Sequence, residues 1–423
     1  MRILHLIANL SASTGGPAEA CLGLCRQLVT RGHDVSIYTT TFGERETGQA
    51  KAARPLDVPV YDGGVEIRFF AGVGRGVYQW SPSLFRALYR KLPKVDIVHI
   101  HSIYLFHSTV GTYLCRRFRV PYIIKPHGTL DPYMRQRHRV RKWLHEMIVE
   151  RLSFRYAAAI QFTAAQEMAL ATGSRIGKRL FEHTVGTIVP NGVVIPEAFE
   201  PSTFGTDTEG LINRFPELRS KRIVLFLGRI NFKKGLDILS TSFARLCRQR
   251  DDVHLLIAGP DSEGYGRRVK EWLRAEKVLD RVTFAGMLRG TYKNAAFKIS
   301  EIFVLPSYSE NFGIAIVEAM AHGLPVVVSD RVNICAEIAD AAAGLVIRCD
   351  ADELEAALST LLADSELRRV MGERGNHMVR RTFTWEVATE QMISLYEGIL
   401  RQPRLALDND HSSQPERGPV RAE

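Results

Sequence analysis

No run in this 423-residue chain reaches the ~18 consecutive apolar residues of a membrane span. The start, Met1-Arg2-Ile3-Leu4-His5-Leu6-Ile7, is too short for a secretory leader and reads as a first strand. Cysteine is scarce: six residues, scattered, without metal-ligand spacing. Cys21 and Cys25, one turn apart, read as a packed helix face. A reducing, cytoplasmic compartment is expected. The chain lacks Gly-x-Gly-x-x-Gly, so dehydrogenase-type dinucleotide binding is unsupported. No strand ends in Asp-x-Asp, and Asp408-Asn409-Asp410 falls in a polar tail. The net charge of +10 favours anionic partners, phosphates or a membrane face, but no nucleic-acid motif accompanies it.

What the chain does have is 45% hydrophobic residues, many in short Val/Ile-rich runs. Runs at Ile3–Ala8, Val35–Thr39, Val65–Phe70, Ile97–Ile100, Tyr122–Lys125 and Ala159–Thr163 form one set of candidate strands. Ile223–Leu227, His254–Ala258, Val282–Phe284, Ile302–Leu305, Val326–Ser329 and Leu345–Ile347 form a second. Continuous apolar runs fit strands buried on both faces of a parallel sheet. Their alternation with helical stretches predicts α/β architecture in two Rossmann-like, doubly wound domains. The expected division is 1–195, a linker over 196–221, and 222–384. An amphipathic helix over 385–401 follows, then a disordered tail over 402–423. Ligands of such sheets bind beyond the strands' carboxyl ends, so two facing domains predict one deep cleft.

The chemistry concentrates at strand ends. After Ile302–Leu305 comes Pro306-Ser-Tyr-Ser-Glu310-Asn-Phe312-Gly313, then a helix carrying Glu318. Carboxylates accept from sugar hydroxyls, and the helix start at Phe312 and Gly313 offers unpaired N–H groups to an anion. Gly228-Arg229-Ile-Asn-Phe-Lys233-Lys234-Gly235 follows the first strand of the second half. Its Arg fork and Lys point charge suit phosphate oxygens. Ser13-Thr14-Gly15-Gly16-Pro17 follows the first strand of the chain and exposes backbone donors. His99 and His101 share one face of a strand end, either hydrogen-bonded there or lining a cleft. His127-Gly128-Thr129 ends the next strand, and Met287-Leu288 another. Pro190-Asn191-Gly192-Val193 lies near the boundary between the halves.

The two glutamates separated by seven residues, with Gly-Arg-x4-Lys-Gly and the Gly-Gly loop, resemble the retaining nucleotide-sugar glycosyltransferases of the GT4 family. The resemblance spans roughly residues 1–400 and implies the GT-B fold, two Rossmann-like domains facing across a cleft. In that fold the last helix crosses back onto the first domain. It implies that Glu310 holds the donor sugar, Glu318 the ribose, and Arg229 and Lys234 the diphosphate. Lys233 is passed over, because the motif's spacing selects Lys234. Phe312, Gly313, Gly16, Met287 and Leu288 would complete the donor site. His127 would lie beside the transferred sugar, with Gly15 and His101 toward the acceptor. The resemblance implies no cofactor and no metal.

The resemblance therefore implies a retaining, metal-independent transfer of sugar from a UDP- or GDP-sugar to a glycan or lipid-linked acceptor. Cell-surface polysaccharide synthesis is the expected setting. A sugar-nucleotide epimerase or phosphorylase on the same fold, or a non-catalytic nucleotide-sugar-binding protein, are the rivals. Residues 133–155 carry seven Arg or Lys against two Glu. Val140, Trp143, Leu144, Met147 and Ile148 recur there at helical spacing, with Arg135, Arg139 and Lys142 on another face. Either a core-packed helix or peripheral docking on the anionic inner face of a membrane would follow.

Overall fold

The structure, a computed structural model, describes residues 1–11, 15–41, 55–74, 79–135, 143, 145–173, 175–182, 184–196 and 204–402. Ser13, Thr14, Val140, Leu144, Arg139, Lys142 and the Asp408-Asn409-Asp410 element lie outside these residues, as does the side chain of Arg135.

The first half is an eight-stranded sheet. Its strands are β1 (Arg2–Ile7), β2 (Asp34–Thr40), β3 (Val60–Asp62), β4 (Val65–Phe70), β5 (Ile97–His101), β6 (Tyr122–Lys125), β7 (Ala159–Phe162) and β8 (Gly186–Ile188). The order is β3-β4-β2-β1-β5-β6-β7-β8. The second half is a six-stranded sheet of β9 (Arg222–Leu227), β10 (Val253–Ala258), β11 (Val282–Gly286), β12 (Ser300–Leu305), β13 (Val326–Ser329) and β14 (Gly344–Ile347). Its order is β11-β10-β9-β12-β13-β14. Every pairing is parallel except β3 with β4. Parallel strands need crossovers, and the crossover helices bury both sheet faces. Hence β10 and β13 are buried at every position.

Two short strands have no counterpart among the predicted runs. The β3–β4 hairpin turns at Gly63-Gly64, whose φ values of 57° and 81° suit a two-residue turn. β8 is a three-residue edge strand beside β7.

The stretch read as a linker, 196–221, holds a helix. Phe204–Arg214 is a helix, and Leu211 and Leu218 are buried in the core around β9–β14. Thr and Gly lower helix propensity there, but packing against the Gly290–Ile299 helix overrides it. The Trp385–Arg401 helix lies against the Gly16–Thr30 helix of the first half. Its Met392 and Tyr396 join that half's core, and Tyr396 donates or accepts at His99 Nδ1, 2.7 Å away. The first and last described helices thus share one packed layer.

Candidate active site

Both sheets point their carboxyl ends at a shared cavity of about 310 Å³. The first half contributes Gly15, Gly16, Glu19 and His127 to its wall. The second contributes Arg229, Lys233, Lys234, Met287, Leu288, Lys293, Glu310, Phe312, Gly313 and Glu318. Of the donor- and acceptor-site residues that the resemblance assigned, His101 alone is absent from this lining. Across the cleft, Ser309 donates to Asp131 (3.0 Å), and the Asn311 amide reaches Thr163 and Glu167.

The Gly228–Gly235 loop leaves β9 and places three cations together. Its final glycine has a physical reason. At Gly235, φ is 65°, and a Cβ would stand 2.0 Å from the Pro306 carbonyl oxygen at the end of β12. Close backbone packing there, with Tyr308 N–H donating to Lys233 O (2.7 Å), locks the basic loop to the loop carrying Glu310. Lys234 pairs with Glu310 through Nζ and Oε2. Lys233, set aside on spacing alone, also lines the cavity. Burial, then Arg229 and Lys234, pull its ammonium down to about 8. Arg229 stays exposed at the rim, where its side chain passes Gly15 of the opposite half.

Glu310 is held by its backbone. Its N–H donates to Arg331 O (3.1 Å) and its carbonyl accepts from Asn333 N–H (3.0 Å). Glu318 sits on the Ile314–Ala321 helix and accepts from Lys293 Nζ at 2.6 Å. Burial pushes its carboxyl upward, against the pull of Lys293. Lys293 belongs to no motif in the sequence and was missed. The helix starts one residue later than expected. Gly313 is its cap, and Ile316 N–H is already bonded to Gly313 O. Gly313, Ile314 and Ala315 supply the N–H groups of this helix start, and Phe312 precedes the cap. Phe312 instead packs edge-on against Phe383.

His127 follows β6 with φ at 53°, a conformation non-glycine residues avoid. Its Nε2 bonds His101 Nδ1 (3.0 Å), and His101 Nε2 bonds His5 Nδ1 (3.0 Å). His101, expected at the acceptor side, is buried behind His127. β5 is covered on both faces, so a strand-end position did not bring it to the cleft. Burial drives both His101 and His127 well below the ordinary imidazole range, so they stand neutral. Among the described residues, two groups of buried side chains are close enough to hold an ion, His5 with Cys21 and Cys25, and His5 with His99 and His101. Neither is in the cleft lining.

The geometry is that of an anion site of fixed cations beside two lysine-tethered carboxylates. Comparisons with known proteins decide the family. Residues 15–192 match the glycosyl transferase 4-like domain, and residues 209–378 match glycosyl transferases group 1. The chain belongs to the GT4-type glycosyltransferases. Mannosylfructose-phosphate synthase of Agrobacterium fabrum is 24% identical over 93% of this chain and 89% of its own. Phosphatidyl-myo-inositol mannosyltransferase of Mycolicibacterium smegmatis is 26% identical over 91% of this chain and 90% of its own. Among solved structures, sucrose-phosphate synthase from Thermosynechococcus elongatus superposes with a TM-score of 0.73 at 23% identity, covering 94% of this chain and 99% of that one. Anabaena HepE, solved with UDP and glucose, gives 0.72 at 16% identity, covering 94% and 100%. The fold of this glycosyltransferase is GT-B.

Proposed function

We propose that this glycosyltransferase moves a sugar, with retention, from a nucleoside-diphosphate sugar to a glycan or lipid-linked hydroxyl. The observation that carries the reading is the meeting of Arg229, Lys233, Lys234, an open helix start, Glu310 and Glu318 in the wall of one cavity. Anabaena HepE, on the same fold, was solved with UDP-glucose. The cations and the Gly313 helix end stabilise the departing diphosphate as its bond to the sugar breaks. The acceptor oxygen bonds to the same face of the sugar, and its proton passes to a diphosphate oxygen. Glu310 is engaged by Lys234, which favours a role along the sugar hydroxyls over one as nucleophile. Glu318 is assigned to the ribose and Lys293 to positioning it. Fixed cationic side chains do the work a metal would otherwise do at the diphosphate.

The acceptor side draws support from residues 143–156. Glu146 and Glu150 are buried, where Tyr104 N–H donates to Glu150 (2.8 Å). Trp143, Met147, Ile148, Leu152 and Tyr156 are exposed. The apolar side therefore faces outward, contrary to a core-packed helix, and suits the interfacial region of a membrane. The relative in Mycolicibacterium smegmatis names a phospholipid in its own activity. None of the described helices is long and apolar enough to cross a membrane. Peripheral docking on an anionic leaflet, and a lipid-linked acceptor in cell-surface polysaccharide synthesis, follow from this reading.

Thermal-shift titration with UDP-, GDP- and ADP-sugars tests the donor. One nucleotide class should stabilise the protein, and transfer from it should preserve the anomeric configuration by NMR. Donor turnover that needs no acceptor would favour an epimerase.

A further inference from the structure

We propose that His5, Cys21 and Cys25 form a buried site for one zinc-class ion, separate from the donor cleft and independent of the donor assignment. His5 lies on β1, and the two cysteines occupy successive turns of the Gly16–Thr30 helix packed on that strand. All three are inaccessible to solvent. Their ligand atoms lie within 4.8 Å of one another. Zinc takes thiolate sulfur at about 2.3 Å and imidazole nitrogen at about 2.1 Å, so small rotations bring the three onto one ion.

An independent observation points the same way. His5 Nε2 is buried without a hydrogen-bond partner. His5 Nδ1 is bonded to His101 Nε2 at 3.0 Å. A metal-bound imidazole has this division of labour, one nitrogen on the ion and the other N–H donating to a neighbour. A bound ion holds both cysteines as thiolates. Two thiolates select a soft cation over magnesium or calcium. The alternative trio with His99 and His101 is weaker, because both His101 nitrogens are already bonded.

Occupancy has one consequence for the cleft. An ion on His5 Nε2 leaves the proton on Nδ1, which donates to His101 Nε2. His101 Nδ1–H then donates to His127 Nε2, so His127 carries its own proton on Nδ1. The buried ion fixes the tautomer of the histidine at the cavity wall.

The test uses the full chain, produced in zinc-supplemented medium and, separately, refolded with cobalt(II). Elemental analysis should find one zinc per chain, and X-ray absorption should show two sulfur neighbours. The cobalt form should show thiolate-to-cobalt charge-transfer absorption, weakened to about half in Cys21→Ser and in Cys25→Ser and lost when both are changed. Folded wild-type protein without a stoichiometric ion, an ion with only oxygen and nitrogen neighbours, or cobalt absorption undiminished in both single variants would overturn the proposal. The X-ray absorption result needs no variant, so misfolding of the serine forms cannot rescue it.

Discussion

Replacing Lys234 by Met, and Glu310 by Gln, singly and together, separates two roles for the lysine. The pair's side chains are 14% and 16% exposed, so each charge is largely desolvated and dependent on the other. Lys234→Met keeps most of the stem and strands a carboxylate, at a cost of about 2 kcal/mol in stability. That amounts to a few degrees in Tm for domains of this size, so the variant should remain folded. In turnover, losing one preorganised group that stabilises developing charge costs about 3 kcal/mol, near 100-fold in kcat. Glu310→Gln should fall by a similar factor. If Lys234 touches the diphosphate and Glu310 the sugar, the two losses largely add. Their direct contact introduces a coupling of about 1 kcal/mol. The double variant should therefore lose about 5000-fold, more than either single and less than their product. Initial rates with saturating acceptor give the cycle. A double variant no slower than Glu310→Gln alone would mean that Lys234 only neutralises Glu310, and would refute its place on the diphosphate.

Glu318→Gln should raise the donor KM more than it lowers kcat, because a ribose contact changes little during transfer; steady-state kinetics showing only a kcat loss would reverse the roles of the two glutamates. Lys233 is protonated below about 8 and uncharged above it, so kcat/KM should fall on an alkaline limb near pH 8. Lys233→Met should flatten that limb, and an unchanged profile would remove Lys233 from the site. Gly235→Ala should cost 3 kcal/mol or more (roughly, for backbone forced against backbone) in urea unfolding, since the new Cβ meets the Pro306 oxygen at 2.0 Å; a loss under about 1 kcal/mol would show that the loop yields. Ile148→Glu with Leu152→Glu should abolish binding to anionic vesicles in co-sedimentation while far-UV circular dichroism stays unchanged, and undiminished vesicle binding would leave that face without a membrane role. EDTA added to the assay should leave turnover intact, and restoration by magnesium after a loss would contradict cationic side chains at the diphosphate.

The parallel strands were legible because burial on both faces writes them as apolar runs such as Val326–Ser329. The basic loop and the two glutamates were legible because each follows such a run at a strand's carboxyl end. Shorter-range features escaped. β3 and β8 are three residues each, too brief for a period to show, although Gly63-Gly64 marked the hairpin. The Phe204–Arg214 helix owes its existence to tertiary packing. Lys293 carries no motif, and its meaning comes only from a 2.6 Å contact with Glu318. His101 was misplaced because strand-end position does not tell how deeply the next loop covers it. The outward apolar face at Met147, Ile148 and Leu152 needed the fold to show which side was in.

The central claim is tested most directly by a crystal structure with the nucleoside-diphosphate sugar that stabilises the protein best. The account predicts the diphosphate against Arg229, Lys233, Lys234 and the N–H groups of Gly313 to Ala315, the ribose on Glu318 and the sugar on Glu310. A donor bound outside this cavity, or inside it with its phosphates turned away from Arg229 and Lys234, would contradict it.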